Sequence, residues 1–383
     1  MATMEYKCPA CGGALEFNIT EQKMKCPFCD SVFEVSQFQD MDKDLDKETK
    51  KAKAAPSDDE AAAKESTGGF NDKWNFDKEA GTEWGAGEEE ALSVFLCESC
   101  GGEIVGDDTL ASARCPYCDS IMVRKEQLSG SLKPDYVIPF KLGKDRAKEE
   151  FKKHLLGKKL LDRRFVDENK IDEIKGVYVP FWLFDVSLDA DLTYEGIDHR
   201  SWREGDYMVY ESDINDIHLA GEVAFNTIPV DGSSKMADDL MESLEPFDFR
   251  EAVPFQTAYL AGYMADKYDV TVSESMPNVR RRVRGSAVDI FSQDVPHFDT
   301  ITNRSADIFL KDSQAKYALY PVWLLTIKWD GEIYLYAMNG QTGKFVGDTL
   351  PCDNKKARRM QFTTTGLVAV AGLVFGVLAG MWW

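Results

Sequence analysis

Residues 129–351 contain stretches in which hydrophobic and polar positions alternate, and this pattern predicts strands. Two runs, 177–184 and 319–325, are rich in β-branched and aromatic residues, and each contains the sequence Pro-x-Trp-Leu. After the first run, hydrophobic residues recur at every second position through Leu188, Ala190 and Leu192, as in a half-buried strand. The likeness of the two runs indicates two related hairpins.

Other segments of this region carry hydrophobic residues at helical spacing. We predict helices at 144–156, at 167–174, from about 233 to 244, and from about 277 to 291, where Pro277 fits a first turn. Four arginines surround the apolar stripe of the last helix: Arg280, Arg281, Arg282 and Arg284. They indicate either a solvated face paired with local carboxylates or a patch for anionic headgroups or nucleic acid. The whole pattern predicts an α+β domain with a mainly antiparallel sheet at residues 129–351.

The end of the chain has a different pattern. Residues 362–383 contain no charged side chain, and a helix of this length can cross a hydrocarbon layer of about 30 Å. A basic segment, 352–361, precedes them, with Lys355, Lys356, Arg358 and Arg359, which favours a cytoplasmic location for the preceding chain. We therefore expect one C-terminal transmembrane helix, a tail anchor, with a buried core helix as the alternative.

Within this tail, Gly372, Gly376 and Gly380 recur at every fourth residue. In lipid, helices gain contact where small residues let their backbones approach. The stripe therefore suggests a homo-oligomer or a paired helix, although glycine is also simply frequent in membrane helices.

Two segments of the chain are near copies of each other. Each has two Cys-x-x-Cys knuckles with fourteen residues between them, and a shift of 89 residues superposes the two segments. A Gly-Gly pair follows the first knuckle of each copy, and Asp-Ser follows the second. Four cysteines at this spacing are typical of a zinc site. We predict two zinc ribbons, small β-domains at residues 1–35 and 93–128, that bind one zinc ion each through Cys8, Cys11, Cys26, Cys29 and through Cys97, Cys100, Cys115, Cys118.

Cysteine usage and charge narrow the classes of function. Eight of the nine cysteines belong to the two ribbons, and no apolar leader precedes the first knuckle, which favours thiols held in a reducing compartment. Disulfides and redox dithiols are the alternatives to zinc. The formal charge of −21 argues against a duplex-DNA partner, because neutralising phosphates requires clustered lysine and arginine.

Residues 36–92 separate the two ribbons and are polar, with many acidic side chains. Such a composition cannot bury enough apolar surface to fold alone, so we expect a disordered linker. Trp74 and Trp84 interrupt it. They either dock on the second ribbon of the same chain or form a short motif that binds a partner.

Motifs of catalysis are scarce. The sequence Asn-Gly-Gln-Thr-Gly-Lys at 339–344 is too short between its glycines for a phosphate loop and is typical of a hairpin turn. The four histidines, His154, His199, His218 and His297, share no metal-binding spacing. We therefore expect no enzyme, no catalytic residue and no cofactor other than zinc.

Several phrases taken together resemble a known bacterial family. They are the paired ribbons and the sequences at 176–185, 228–233, 259–263 and 337–344. The family is usually labelled TFIIB-type zinc ribbon-containing protein, of the YdjG-like kind. The resemblance implies a membrane protein with cytosolic zinc ribbons that is associated with envelope-stress proteins of the phage-shock and SPFH types.

The leading hypothesis is a non-enzymatic adaptor at the bacterial cell membrane, anchored once by its tail, with a cytoplasmic N-terminal region that scaffolds other proteins. The second hypothesis is a nucleic-acid-binding ribbon protein tethered to the membrane. It is disfavoured because neither ribbon has a basic stripe with interleaved aromatic residues. An enzyme that the sequence does not reveal is the third.

Overall fold

The computed structural model describes residues 6–38, 80–84, 92–106, 114–128, 131–155, 158, 160–162, 165, 173–353 and 355–365. These residues form two β-sheets. The smaller sheet has the order β1 (Glu16–Asn18), β2 (Lys23–Lys25), β3 (Val32–Phe33) and belongs to the first ribbon. The larger sheet has eleven strands.

Strands of the second ribbon and of the large domain share the larger sheet. Its main order is β10-β7-β12-β8-β11-β5-β4-β6, with β9 on β8, β13 on β12 and β14 on β13. All pairings in it are antiparallel except β11 with β8 and β12 with β7. The strands are β4 (Ser93–Leu96), β5 (Glu103–Gly106), β6 (Val123–Gln127), β7 (Tyr136–Val137), β8 (Lys175–Glu204), β9 (Tyr207–Asp231), β10 (Val253–Pro254), β11 (Met264–Asp266), β12 (Thr300–Trp329), β13 (Glu332–Asn339) and β14 (Phe345–Gly347).

Three strands are unusually long. β8 and β12 have 30 residues each and β9 has 25. Their far portions, 187–222 and 300–313, pair only with one another and form a three-stranded projection that we call the arm. At about 3.3 Å per residue, the arm extends tens of ångströms beyond the rest of the sheet.

One face of the arm is covered by a helix. The described α-helices of the large domain are α1 (Lys144–Leu155), α2 (Asp238–Leu244) and α3 (Val272–Ser292). α3 buries Val279, Val283 and Ala287, while Leu192 and Tyr194 of β8 are buried within the arm. The alternation along β8 arises because successive side chains of a strand point to opposite faces.

The start of α3 lies earlier than the sequence pattern suggested. Thr271 and Glu274 form a capping box, in which each side chain accepts a hydrogen bond from the backbone N–H of the other residue, so the helix begins at Val272 and Pro277 lies in its second turn. Arg281 pairs with Glu242 at 2.7 Å and Arg282 with Glu245 at 2.6 Å. The interpretation as a face paired with local carboxylates therefore holds for these two arginines.

The two Pro-x-Trp-Leu runs are antiparallel neighbours at the centre of the sheet, where Pro321 lies opposite Tyr178. In each run the proline carbonyl accepts a hydrogen bond from a glycine N–H across the hairpin: Gly232 to Pro180 at 2.9 Å and Gly340 to Pro321 at 2.8 Å. The two hairpins therefore share one local geometry. Each tryptophan also donates its indole N–H to a loop carbonyl, Trp182 to Val270 and Trp323 to Leu142, at 2.8 Å in both cases.

The prediction of a C-terminal transmembrane helix is wrong for the part of the chain that the structure describes. Residues 355–365 are helical, but this segment contains four basic residues and three threonines. Among the described residues, no helix is both long enough and apolar enough to cross a membrane. The expected single-pass location at the cell membrane depended on that helix and is therefore not supported. Residues 366–383, including Gly372, Gly376 and Gly380, lie outside the described residues.

Most of the expected linker, residues 39–79 and 85–91 with Trp74, also lies outside the described residues. Val35–Phe38 form a 3₁₀ turn in which Phe38 packs edge-on against Tyr6 at 5.3 Å between ring centroids. Trp84 packs in cis, but its ring contacts are with Phe255 and Lys133 of the large domain.

Candidate metal centres

Four backbone turns, one at each Cys-x-x-Cys knuckle, have the same hydrogen-bonding pattern. The N–H of the first cysteine donates to the carbonyl five residues later, and the N–H four residues later donates back to the cysteine carbonyl; all eight bonds measure 2.8–3.0 Å. The residue at that fourth position has a positive φ in every turn: 74° at Gly12, 57° at Asp30, 72° at Gly101 and 56° at Asp119. Glycine and aspartate tolerate this conformation, so the repeated sequence produces a repeated backbone.

These turns bring the cysteine sulfur atoms together. In each set of four, the sulfurs lie within 4.8 Å of one another. The shortest separations are 3.5 Å for Cys8–Cys29, 3.4 Å for Cys11–Cys26, 3.4 Å for Cys97–Cys118 and 3.6 Å for Cys100–Cys115. Tetrahedral zinc with Zn–S bonds of about 2.3 Å places thiolates roughly 3.8 Å apart, whereas a disulfide requires about 2.05 Å. All eight cysteines are free. The protein has two four-cysteine sites capable of holding zinc.

A serine two positions after the last cysteine prepares one thiolate in each site. The side chain and backbone N–H of Ser31 lower the pKa of Cys29 to about 6. At Cys118, burial opposes ionisation, but hydrogen bonds from Ser120 lower the pKa to about 6. Thiolate is the form that binds metal, so the duplicated Asp-Ser ending has a chemical role at both sites.

The first site contacts the large domain through the small sheet of its own ribbon. Phe17 of β1 packs edge-on against Tyr259 at 5.0 Å between ring centroids, and its N–H donates to the carbonyl of Ala261. Tyr6 shares a hydrogen bond with Thr257. The opposite end of the site is open, since Cys11 and Cys29 are exposed and Phe28 is 75% exposed.

The second site is built into the larger sheet. β4 and β5 flank its first knuckle, and β5 pairs with β11. The Lys175 ammonium, at the first residue of β8, donates to the Cys115 carbonyl at 3.1 Å and to Asp119 at 3.2 Å. Thr326 of β12 donates its hydroxyl to the Pro116 carbonyl. Tyr117, which corresponds to the exposed Phe28 of the first ribbon, is only 6% exposed.

A buried polar cluster that the sequence pattern did not reveal lies behind this second site. Asp266 of β11 is 1% exposed and accepts a hydrogen bond from the Ser233 hydroxyl. Its other carboxylate oxygen and the Tyr117 hydroxyl are buried with no hydrogen-bond partner among the described residues. Burial raises the pKa of Asp266 to about 7, despite the opposing effect of the hydrogen bond from Ser233. Because its members are far apart in sequence, no local motif signals this cluster.

No other grouping of metal-binding side chains competes with the two cysteine sites. Within the described residues, they are the only sets of three or more His, Cys, Asp or Glu whose ligand atoms converge. The structure does not bring the described histidines together; His218, for example, contacts Asp191 at 2.5 Å on the arm.

Comparison with known proteins finds one family model and one relative. The family model described as "Trm112p-like protein" matches residues 7–37, the first ribbon. The protein named "Uncharacterized protein YdjG" from Bacillus subtilis (strain 168) is 34% identical over 222 residues, which are 58% of this chain and 65% of that relative. The chain therefore matches slightly less than two thirds of the relative's length. No solved structure matches. The expected likeness to YdjG is found, whereas the ribbon match is to Trm112p-like protein and a TFIIB-type assignment is not shown.

The different attachments of the two sites lead to a testable asymmetry. The double variants Cys8→Ser/Cys11→Ser and Cys97→Ser/Cys100→Ser should each lose one of two zinc ions. Loss of the second site should lower the melting temperature by about 10 °C or more, because the metal there holds strands of the larger sheet. Loss of the first site should lower the melting temperature by clearly less. Metal analysis with thermal unfolding by circular dichroism measures both, and equal destabilisation would contradict the asymmetry.

The raised pKa of Asp266 gives a second prediction. An acid whose folded pKa lies above its unfolded value of about 3.9 contributes stability below that value and loses it as pH rises toward 7. Asp266→Asn keeps an acceptor for Ser233 and removes the buried charge. The free energy of unfolding of the variant should exceed that of the wild type by a few kcal/mol at pH 8, and the two values should be equal at pH 4. Urea unfolding between pH 4 and pH 8 tests the effect. The titratable groups around Asp266 are Asp231, Asp269, Lys235 and Tyr117. A pH-independent difference would refute it.

Proposed function

We propose that the protein is a non-enzymatic adaptor whose zinc ribbons and sheet domain hold the arm in place as a protein-binding surface. The observation that carries this proposal is the set of exposed apolar side chains at the end of the arm, with Met208, Tyr210 and Ile214 on one face of β9 and Tyr207 on the other. We call residues 201–214 the tip. Tyr207 is 78% exposed, Tyr210 77% and Ile214 63%, and Met208 and Trp202 are also exposed. Exposed apolar patches of this kind mark interaction sites, and tyrosine and tryptophan dominate binding hot spots.

Continuous strand pairing supports the tip. β8 and β9 stay in register from the base of the arm to Glu204 and Tyr207, and β12 pairs along the other edge of β8 as far as Ile197. A partner would therefore meet side chains that are already ordered, which lowers the entropic cost of binding.

Charge indicates the chemistry of the partner. Glu204, Asp206 and Glu211 lie beside the exposed aromatic residues, and none has an ion pair among the described residues. A protein surface with an apolar pocket rimmed by lysine or arginine would complement the tip.

The second zinc site supports this function because it contacts the start of the strand that leads into the arm. β8, which runs into the arm, begins at Lys175 on the second knuckle. Zinc at that site would fix the base of the strand and hence the direction of the arm. The resemblance to YdjG-like proteins implies partners of the phage-shock or SPFH type, which remains an expectation.

Nucleic acid is less well supported as a partner. In the first ribbon, Lys23 pairs with Glu34 at 2.6 Å and Lys25 with Asp30 at 3.0 Å. In the second ribbon, Lys125 pairs with Glu103 at 2.8 Å. Ribbon cations that are already paired with carboxylates contribute little to binding phosphates.

A photocrosslinking amino acid at Tyr210 tests the adaptor proposal in cells. The matched control is the same substitution at Phe309, an exposed aromatic residue near the base of the arm, where it lies opposite Asp189. We expect a discrete protein adduct from position 210, an adduct at background level from position 309, and about a tenfold loss at position 210 when Glu204, Asp206 and Glu211 are replaced by lysine. Equal adducts at both positions, an adduct that survives charge reversal, or crosslinks to nucleic acid would contradict the proposal.

A further inference from the structure

Residues 80–84 cross the surface of the large domain beside residues 131–135 and Phe255. We propose that this surface, separate from the tip, is a peptide-binding groove for extended Gly-x-x-Trp segments, in which the chain's own residues 80–84 are an exchangeable internal ligand. The partner would be a protein that presents an extended segment of this kind. Four features of the contact support this inference.

The first feature is a backbone match. The Thr82 N–H donates to the Lys133 carbonyl at 3.0 Å, and the Lys133 N–H donates to the Thr82 carbonyl at 2.7 Å. The Gly81 N–H donates to the Asp135 carboxylate at 3.0 Å. Asp135 is held in place independently, since the same oxygen accepts from the Tyr317 N–H at 2.9 Å. This single antiparallel bridge recognises backbone, so a segment of another chain can make the same hydrogen bonds.

The second feature is a requirement for glycine at position 81. Its φ is +83°, and a Cβ there would lie 2.9 Å from Leu132 Cβ and 3.0 Å from the Lys133 carbonyl oxygen. Both the backbone conformation and the space therefore exclude a side chain. The groove would select glycine three residues before the tryptophan.

The third feature is the tryptophan anchor. The ring of Trp84 meets Phe255 edge-on, with centroids 5.9 Å apart and planes at 90°, and Lys133 Nζ lies 5.9 Å from the ring of Trp84. An aromatic pair and a cation–π contact favour tryptophan over other side chains here. Ala80, at the other end of the segment, is buried.

The fourth feature is an imperfect fit, which makes the internal ligand displaceable. The Trp84 indole nitrogen and the Ser131 hydroxyl are buried without a hydrogen-bond partner among the described residues. Beneath the tryptophan lies a cavity of about 30 Å³, walled by Leu128, Leu132, Leu260 and Tyr317 among others. An unpaired buried polar group costs about 1–3 kcal/mol. A segment that supplied the missing partners or filled the cavity would bind more tightly than residues 80–84 do.

A peptide exchange experiment on the full chain tests the inference. The probe is a fluorescein-labelled peptide with the sequence of residues 78–88, and binding is followed by fluorescence anisotropy. Two full-chain variants empty the groove by different routes: Trp84→Ala removes the anchor, and Gly81→Ala introduces the steric clash. Each should bind the probe about tenfold more tightly than the wild type, in which the groove is occupied.

Matched peptides and a groove variant supply the controls. Probe peptides with Gly81→Ala or Trp84→Ala should bind at least about tenfold more weakly than the parent. Adding Phe255→Ala to the Trp84→Ala chain should remove binding, with circular dichroism confirming that the fold is retained. The proposal is overturned if neither emptied chain binds the probe more tightly than the wild type, or if the peptide lacking tryptophan binds as well as its parent.

Discussion

The ammonium group of Lys175 joins the second zinc knuckle to the strand on which the large domain depends. Lys175 is the first residue of β8 and contacts both the Cys115 carbonyl and Asp119. β8 in turn pairs with β9, β11 and β12. Through β8, the knuckle is therefore connected to the central strands of the sheet. A four-cysteine turn has too few apolar residues to hold its own shape without metal. The order of the strands on this side of β8, from β11 through β5 and β4 to β6, therefore depends on the site that the cysteines form.

Duplication has produced two sites with the same geometry and different surroundings. The knuckle turns agree in hydrogen bonds and in φ, yet Phe28 is exposed where Tyr117 is buried. The first ribbon keeps a separate three-stranded sheet, whereas the strands of the second have become part of the larger one. One copy therefore keeps an open surface near its metal site, and the other has become part of the framework.

The cysteine sites could be predicted from sequence because their geometry is local: Cys-x-x-Cys spacing and the glycines determine the turns within six residues. The mainly antiparallel sheet followed from alternation. The pairing of β5 with β11 could not be predicted, because Ile104 and Asp266 are far apart in the chain and nothing local specifies their register. Nor did the sequence suggest strands of 30 residues, since the runs 177–184 and 319–325 predict short strands. Pro180 and Pro321 lie well inside β8 and β12. Across their hairpins, the carbonyls of these prolines accept from Gly232 and Gly340. The expected tail anchor rested on the length of an uncharged run and on its basic flank, and it is not supported by the described helices.

Hydrogen exchange of the full chain, measured by mass spectrometry with zinc bound and after chelation, tests most directly whether zinc is part of the framework of the large sheet. The account predicts that metal removal speeds exchange at 103–106, 264–268 and the start of β8, together with the second ribbon. The central hairpin of β12 and β13, whose pairing runs from Val322–Asn339 to Trp329–Glu332, should stay protected. Faster exchange confined to the knuckle turns at 97–102 and 115–120 would contradict it.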